Sequence, residues 1–478
     1  MALLPPPLPT PQRRPGQGAL AAHALRPALR VAVLLGLLLA GGLAPEAMVP
    51  AGAPRRAQAD TPPVPDRPLG PVLTAHYELR SEGPRAEAEE WGRVLEAAWP
   101  QLKAFFHAEP PLKEGERLRV VFTESAEAWT QAIRAAGGNP PGGGAGGYYC
   151  PLSRTAFLYR QPSAWYTRTL LLHEVAHQFH FLGATGNRSP GARWYIEGVA
   201  EHLSHHAWDG TTLALGIVPL LSLENRAGLA LARVSDPAFD IEALVNDGPH
   251  ERPEAMHLVR FLLEGEGGNR RKRFEAMAEK LDRGGQAGAL FGRSMGPPRR
   301  LLDQWRDWLP EVQEPLAPVH VDWDTRGPRA VRGTSGGVSG CRVRRPARAI
   351  SATLAPQAGT RWSAGLLLHA ADASQYTVAL VAAGSVRVQR LERGGWTMLP
   401  VDQPPAPGGQ PWRLSATREG TRVTLQVQGV QVGSYDLPGD ALGLAVDGCT
   451  MDFTELAWEA VPAAPPEAGK GPAGAKGR

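Results

Sequence analysis

Two short stretches constrain this chain's folding more than any other feature: LLHEVAHQFH, residues 171–180, and WYIEGVAEH, residues 194–202. Neither contains proline, and their apolar residues recur at three- and four-residue intervals, so each predicts a helix. On a helix, residues four apart share a face, with Cβ atoms about 5–6 Å apart. His173 and His177 can therefore aim ring nitrogens at one point, which is a metal-ligand spacing. Glu174 sits about 100° around the helix from His173. From there it can reach a water at the metal without binding the metal itself. Taken alone, the stretch fits equally well a partly exposed helix whose polar residues are merely solvated.

The second stretch favours a site. Nineteen residues separate His177 from Glu197, and GATGNRSPG within that interval lets the second helix turn back on the first. Glu197 then completes the three protein ligands that a catalytic zinc ion takes while keeping one position for water. One turn further on, Glu201 can accept a hydrogen bond from the non-ligating nitrogen of His173 and fix its ring. Gly198 costs about 1 kcal/mol against Ala inside a helix, which predicts close backbone packing beside the metal.

HEVAH followed by EGVAE at this distance resembles the gluzincin zinc peptidases, the clan of thermolysin and the aminopeptidase-N-type enzymes. WYIEGVAEH resembles the bacterial peptidase-MA-like branch, as does the preceding order of strand, long helix, strand, helix, edge strand and HExxH helix. The resemblance covers residues 73–310. It implies a thermolysin-like zincin domain acting on a peptide or protein substrate. It also implies Zn2+ held by His173, His177 and Glu197, with Glu174 as general base and Glu201 behind the ligands. Aminopeptidase-type members carry Gly-x-Met-Glu-Asn near the edge strand, whose glutamate holds the substrate's free amine. The corresponding GGGAGGYYCP has no acid, which points to an endopeptidase. The clan also supplies a downstream Tyr or His for the oxyanion. His257 is the candidate, with His250 and Tyr149 behind it; a helix residue without a catalytic role is the competing reading of His257. Peptidase-MA-like relatives often place a tyrosine near the start of that helix, where this chain has Arg252 and Pro253.

Around the motifs, AHYELRS and RLRVVFTES read as strands, and residues 85–107 as a helix buried through Trp91, Val94, Leu95, Ala98, Leu102 and Phe105. Ser125 is placed to cap the helix AEAWTQAIRAAGG, and YYCPLSRTAFLY reads as a hairpin or edge strand. GGNPPGGGAGG lacks the lysine of a phosphate loop and reads as flexible. The HExxH helix is expected from its Ser163 cap to about Leu182, with Gly183 just past its end. The next helix is expected from about Ala192 to Trp208. There, His202 and His206 have ligand spacing but no third ligand, and with His205 they read as a solvated helix end. Tyr148, Tyr149 and Tyr195 read as packing or cleft-lining residues.

Helical patterns continue to about residue 310; residues 311–330 read as a linker. From about Val331, short alternating strands with Gly, Asn and Asp at their turns predict an antiparallel sandwich over residues 331–460. Residues 461–478 read as a disordered tail. The fold class is α+β: a small sheet with helices, a helical subdomain, and the sandwich. Its strands resemble concanavalin-like or laminin-G-like domains, some of which bind glycans or cell-surface ligands. That leaves a second class open, a surface or periplasmic adhesin whose zinc-bearing first domain is inactive. The intact Glu174 weighs against it.

Arg26 and Arg30 precede the apolar run VAVLLGLLLAGGLA, and Ala57-Gln58-Ala59 offers a cleavage site. Residues 1–59 thus predict a secretion signal, followed by a Pro-rich linker over residues 60–72. The chain is expected in the periplasm or outside the cell, with membrane attachment only if the segment is retained. The same 59 residues carry six arginines against Glu46 alone. Removing these from 51 basic and 47 acidic residues leaves the rest near neutral, so the charge makes no case for nucleic acid. None of Cys150, Cys341 and Cys449 shows CxxC spacing. Cys341 and Cys449 bracket the sandwich and could pair in an oxidising compartment.

Overall fold

The computed structural model describes residues 70–461, apart from residues 143–144, 219, 222–224, 249–251, 320–322, 357–361, 373, 383–384 and 403–410. The expected secretion signal, nearly all of the first linker, His250 and the tail beyond residue 461 lie outside the described residues. Among those described, no helix is long and apolar enough to cross a membrane.

The first sheet is built from β1 (Val72–Leu73), β2 (Tyr77–Ser81), β3 (Leu118–Thr123), β4 (Gly147–Cys150) and β5 (Thr155–Tyr159), in the order β1-β2-β3-β5-β4. β2, β3 and β5 run parallel, because α1 (Arg85–Phe106) and α2 (Ala126–Ala135) provide the crossovers. β4 returns antiparallel to β5 and forms the sheet edge. The helix starts are chemically fixed: Ser125 Oγ accepts from Ala128 N–H at 3.2 Å, and Ser163 Oγ accepts from Tyr166 N–H at 3.1 Å.

α3 (Ala164–Phe179) carries the HExxH stretch, and all its residues from Thr167 onward are buried, as befits the central helix of a domain. It does not end on Gly183 as a left-handed cap. The chain widens into a π turn at His180–Ala184, and the left-handed residues come later, at Gly186 and Asn187. Gly183 instead permits close approach: a Cβ there would lie 3.1 Å from the Glu109 carbonyl carbon. α4 (Arg193–Ser204) is also shorter than expected. His206–Trp208 forms β6, a hairpin strand paired with β7 (Leu213–Leu215). The Asp209-Gly210 turn explains this, since Asp209 accepts from the backbone N–H of Thr211 and of Thr212, and Gly210 has φ +106°.

Among the described residues six helices follow: α5 (Arg226–Val234), α6 (Ile241–Val245), α7 (Arg252–Gly268), α8 (Arg271–Asp282), α9 (Ala287–Met295) and α10 (Pro298–Trp308). α7 leaves helical geometry at Gly265, Glu266 and Gly267. One apolar core runs from Val72 and Leu79 on the first sheet through α3 and α4 to Trp305 and Leu309.

The C-terminal half is an antiparallel β-sandwich of two seven-stranded sheets, so the chain is α+β. One sheet has the strand order Val430–Asp436, Arg422–Val427, Trp412–Glu419, Ala347–Ala355, Thr450–Ala460, Ala330–Thr334, Trp323–Gly327. The other runs Gly395–Leu399, Ser385–Glu392, Gln375–Ala382, Ser363–Asp372, Gly443–Asp447, Val338–Val343, Leu316–Pro318. Residues 311–330 are therefore not a linker throughout. Leu316 and Trp323 are buried in the sandwich core, and Pro318 is tolerated because its strand lies at an edge.

The expected pairing of Cys341 with Cys449 is absent, and all three cysteines are free thiols. The register sets Cys341 opposite Leu444, five residues before Cys449. Cys449 lies beyond the end of the strand Gly443–Asp447, its carbonyl accepting from Ser335 N–H at 3.1 Å, six residues along the chain from Cys341, whereas a disulfide needs Cα atoms about 5.5–6 Å apart.

The sandwich also braces the HExxH helix. Arg168 on α3 is 3% exposed and donates to both oxygens of Asp324, at 2.7 Å each, on the strand Trp323–Gly327. Its Nε donates to His206 Nε2 at 2.8 Å. A buried guanidinium paired this fully fixes the helix against the neighbouring domain.

Candidate metal centre

α3 and α4 pack face to face and bring three donor groups together. His173 Nε2 and His177 Nε2 are 3.1 Å apart. Glu197 places Oε2 3.6 Å from His173 Nε2 and Oε1 3.7 Å from His177 Nε2. Among the described residues this is the one His/Cys/Asp/Glu group of three or more whose atoms converge closely enough to hold a metal ion. The polar inventory also fits a missing cation. Oε2 of Glu197, one of the converging atoms, is buried without a hydrogen-bond partner, a costly arrangement for a carboxylate unless an ion takes it up.

Glu174 lies beside the donors, 4% exposed. Burial pushes its carboxyl up to about 7, with His173 pulling the other way. Burial likewise lowers His177 to about 3, which keeps the ring neutral as a ligand must be. Burial opposes the charge on Glu197, but His173, His177 and Arg252 outweigh it and hold the carboxyl well below its usual range.

Glu201 is close to its expected place but does not make the expected bond. Its Oε1 stands 3.7 Å from His173 Nδ1, beyond hydrogen-bond distance. The carboxylate is gripped instead by Arg226 and, at 3.3 Å, by Arg252 Nη1. Burial would raise Glu201, yet Arg226, His173 and Arg252 bring it down to about 2. Gly198 does mark close packing, though against α7 rather than the metal group: a Cβ there would fall 2.4 Å from the Ala255 carbonyl oxygen.

His257 is not at the cleft. It is 0% exposed, both ring nitrogens are buried without partners, and its neighbours are the cations Arg260 and Arg226 and the buried rings of His205 and His202. A side chain so enclosed cannot touch substrate. Tyr149 is occupied as well: its hydroxyl donates to Asn187 Oδ1 at 3.1 Å and its ring packs on Phe181. Tyr195 is buried with its hydroxyl toward His180, in keeping with a packing role. Nor are His202, His205 and His206 a solvated helix end; all three are buried. β6 carries His206 against the sandwich, where Arg168 beside it repels any cation, while His202 stays on α4 next to Phe105.

Two residues at the centre escaped the sequence reading. Arg252 begins α7 and reaches both Glu197 and Glu201. Gly147 on β4 lies against Glu174: a Cβ there would come within 2.6 Å of Glu174 Cγ and Oε1. The end of the glycine run is thus a close-approach segment, and Gly146 is similarly pressed on Leu170. Gly147→Ala must displace either the strand or the carboxylate. On the peptidase reading proposed below, it is expected to lower kcat on the order of 10- to 100-fold, since a displacement of about 1 Å can cost that much, with metal content unchanged. Steady-state kinetics and metal analysis on one sample check this, and a wild-type kcat would show the carboxylate's position to be immaterial.

A groove of about 870 Å3, lined by Phe105, Tyr195, His202, Arg271 and Phe274, borders the opposite face of α4 and includes none of the donor residues. The metal group opens to solvent through Glu197 and Arg252, whose side chains are 31% and 49% exposed.

The sequence matches no protein-family model and no curated protein. Among solved structures it is similar to a carbohydrate-binding module from Bacillus subtilis at 19% identity, over 30% of this chain and 96% of that one, with a TM-score of 0.27. It is also similar to a toad ovary galectin in complex with thio-digalactose, at 14% identity over 28% of this chain and 100% of that one, TM-score 0.20. A GH43 protein from Bacillus licheniformis aligns at 13% identity over 31% of this chain and 37% of that one, TM-score 0.25. Likeness at this level decides nothing about what this chain binds.

Proposed function

We propose that this chain is an exported zinc peptidase of gluzincin type, with a thermolysin-like catalytic domain, cleaving internal peptide bonds. The observation that carries the reading is the convergence of His173, His177 and Glu197, with their donor atoms 3.1–3.7 Å apart and Glu174 buried alongside. Zinc–ligand bonds of about 2.0–2.1 Å in tetrahedral geometry put neighbouring ligand atoms about 3.4 Å apart, so the donor set suits that ion. Bound there, zinc would lower the pKa of a water to about 7 and polarise the scissile carbonyl.

The chain's own groups do the rest. Glu174 takes a proton from the attacking water as the oxygen–carbon bond forms, then delivers it to the amine nitrogen as the carbon–nitrogen bond breaks. Glu201, held by Arg226 and Arg252, sets its negative charge 3.7 Å from His173 Nδ1 and favours a positively polarised ring there. Among the described residues no strand pairs with the outer edge of β4, which can accept an extended substrate by strand addition. That strand, GYYC, has no acid to hold a free amine, which favours internal cleavage over N-terminal trimming.

A peptide-library digest with the purified chain tests this. One zinc per chain is expected by metal analysis, with internal cuts that stop on chelation and return with added zinc. A chain that binds zinc yet cleaves nothing would favour the adhesin reading, and cleavage indifferent to chelator would exclude a metal mechanism.

A further inference from the structure

We propose that Arg252 is a catalytic residue, its guanidinium meeting the scissile carbonyl oxygen as that oxygen gains negative charge. The inference rests on the peptidase reading above. Attack of water moves an electron pair from the carbon–oxygen double bond onto that oxygen, and hydrolysis of this kind gains from a fixed cation or donor aimed there. Of the residues expected to supply one, His257 is sealed in the interior and Tyr149 donates to Asn187, while His250 lies outside the described residues.

Arg252 meets the geometric requirement. Its Nε lies 3.7 Å from Glu197 Oε2, and its Nη1 donates to Glu201 Oε1 at 3.3 Å. Those two contacts place the planar fork at the rim of the donor group. Nη2 has no hydrogen-bond partner among the described residues, and with the side chain 49% exposed a substrate oxygen can reach it. The contact of Gly198 with the Ala255 carbonyl fixes the first turn of α7 against α4 and so holds Arg252 in place.

Helix stability does not explain this arginine. A cation in a first turn opposes the helix macrodipole, by about 0.3–1 kcal/mol. Nor does Glu201 need it as a counter-ion, because Arg226 already contacts that carboxylate.

Arg252→Met and Arg252→Lys test the assignment, each prepared with zinc and checked by circular dichroism. Arg252→Met is expected to lose on the order of 10²–10³ in kcat, with zinc content unchanged and KM within a few-fold. The phosphinic analogue of the best-cleaved library peptide copies the tetrahedral, anionic carbon centre. Its Kd, measured by calorimetry, is expected to weaken by the same factor as kcat/KM. Arg252→Lys keeps a point charge without the fork and is expected to fall about tenfold; it decides the matter if the methionine variant fails to fold. Added guanidinium ion is expected to restore part of the Arg252→Met rate. A kcat within threefold of wild type, or loss of zinc alongside activity, would overturn the proposal while leaving the peptidase reading intact. A zinc-loaded wild-type chain that hydrolyses no peptide would remove both.

Discussion

Glu174→Gln is expected to bind zinc as tightly as the wild-type chain and to hydrolyse peptide about 10²–10⁴ times more slowly. The amide matches the carboxylate in size, so Gly147 and the α3 packing around it need not move. On the proposed mechanism, what disappears is the carboxylate beside the donors that takes a proton from water and returns it to the leaving nitrogen. Burial already works against charge at this position, so the metal-free variant is expected to melt no lower than wild type. Metal analysis, single-turnover kinetics and a thermal melt on the same preparation measure all three. Retained hydrolysis by a pure, zinc-replete Glu174→Gln sample would remove Glu174 from the mechanism.

Glu197→Ala is expected to act on the metal before the chemistry. Outer partners of metal ligands typically contribute 10–100-fold in affinity, so losing a ligand itself should cost more than about 100-fold. His173 and His177 then remain as two ring-nitrogen donors of the original three. Competition with a chromogenic chelator reads the change directly, and activity should recover only at high zinc. Wild-type affinity in this variant would mean that Glu197 is not the third ligand.

The two substitutions separate base from ligand, a distinction already present in the sequence. The i, i+4 histidines, the adjacent glutamate and the second carboxylate pair were readable because helical periodicity fixes which residues share a face. The Ser125 and Ser163 caps were readable for the same local reason. Local signals were also available, but outweighed, at the end of α4. There, Asp209-Gly210 marks a hairpin turn, whereas the continued apolar pattern suggested more helix.

Other features depended on partners distant in the chain. His257 looked suitable because its type matched a role, yet α7 turns it inward and presents Arg252, one residue before Pro253, to the donor group. The glycines at 146 and 147 looked like slack, but their meaning lies in side chains 24 and 27 residues away, Leu170 and Glu174. Residues 311–330 looked like a linker because an edge strand carries little periodicity. Their strand character comes from pairing with strands that follow them in the chain.

By itself, then, the sequence determined the α+β class, the helix carrying HEVAH, and which four side chains could converge. These follow from periodicity and spacing, properties of a few neighbouring turns. Only the tertiary structure decided that Arg252 rather than His257 reaches the centre, that Glu201 is held by two arginines, and that the sandwich clamps α3 through Arg168 and Asp324. Such contacts join residues from 25 to 156 positions apart, where no local pattern constrains the approach and packing of the whole core does.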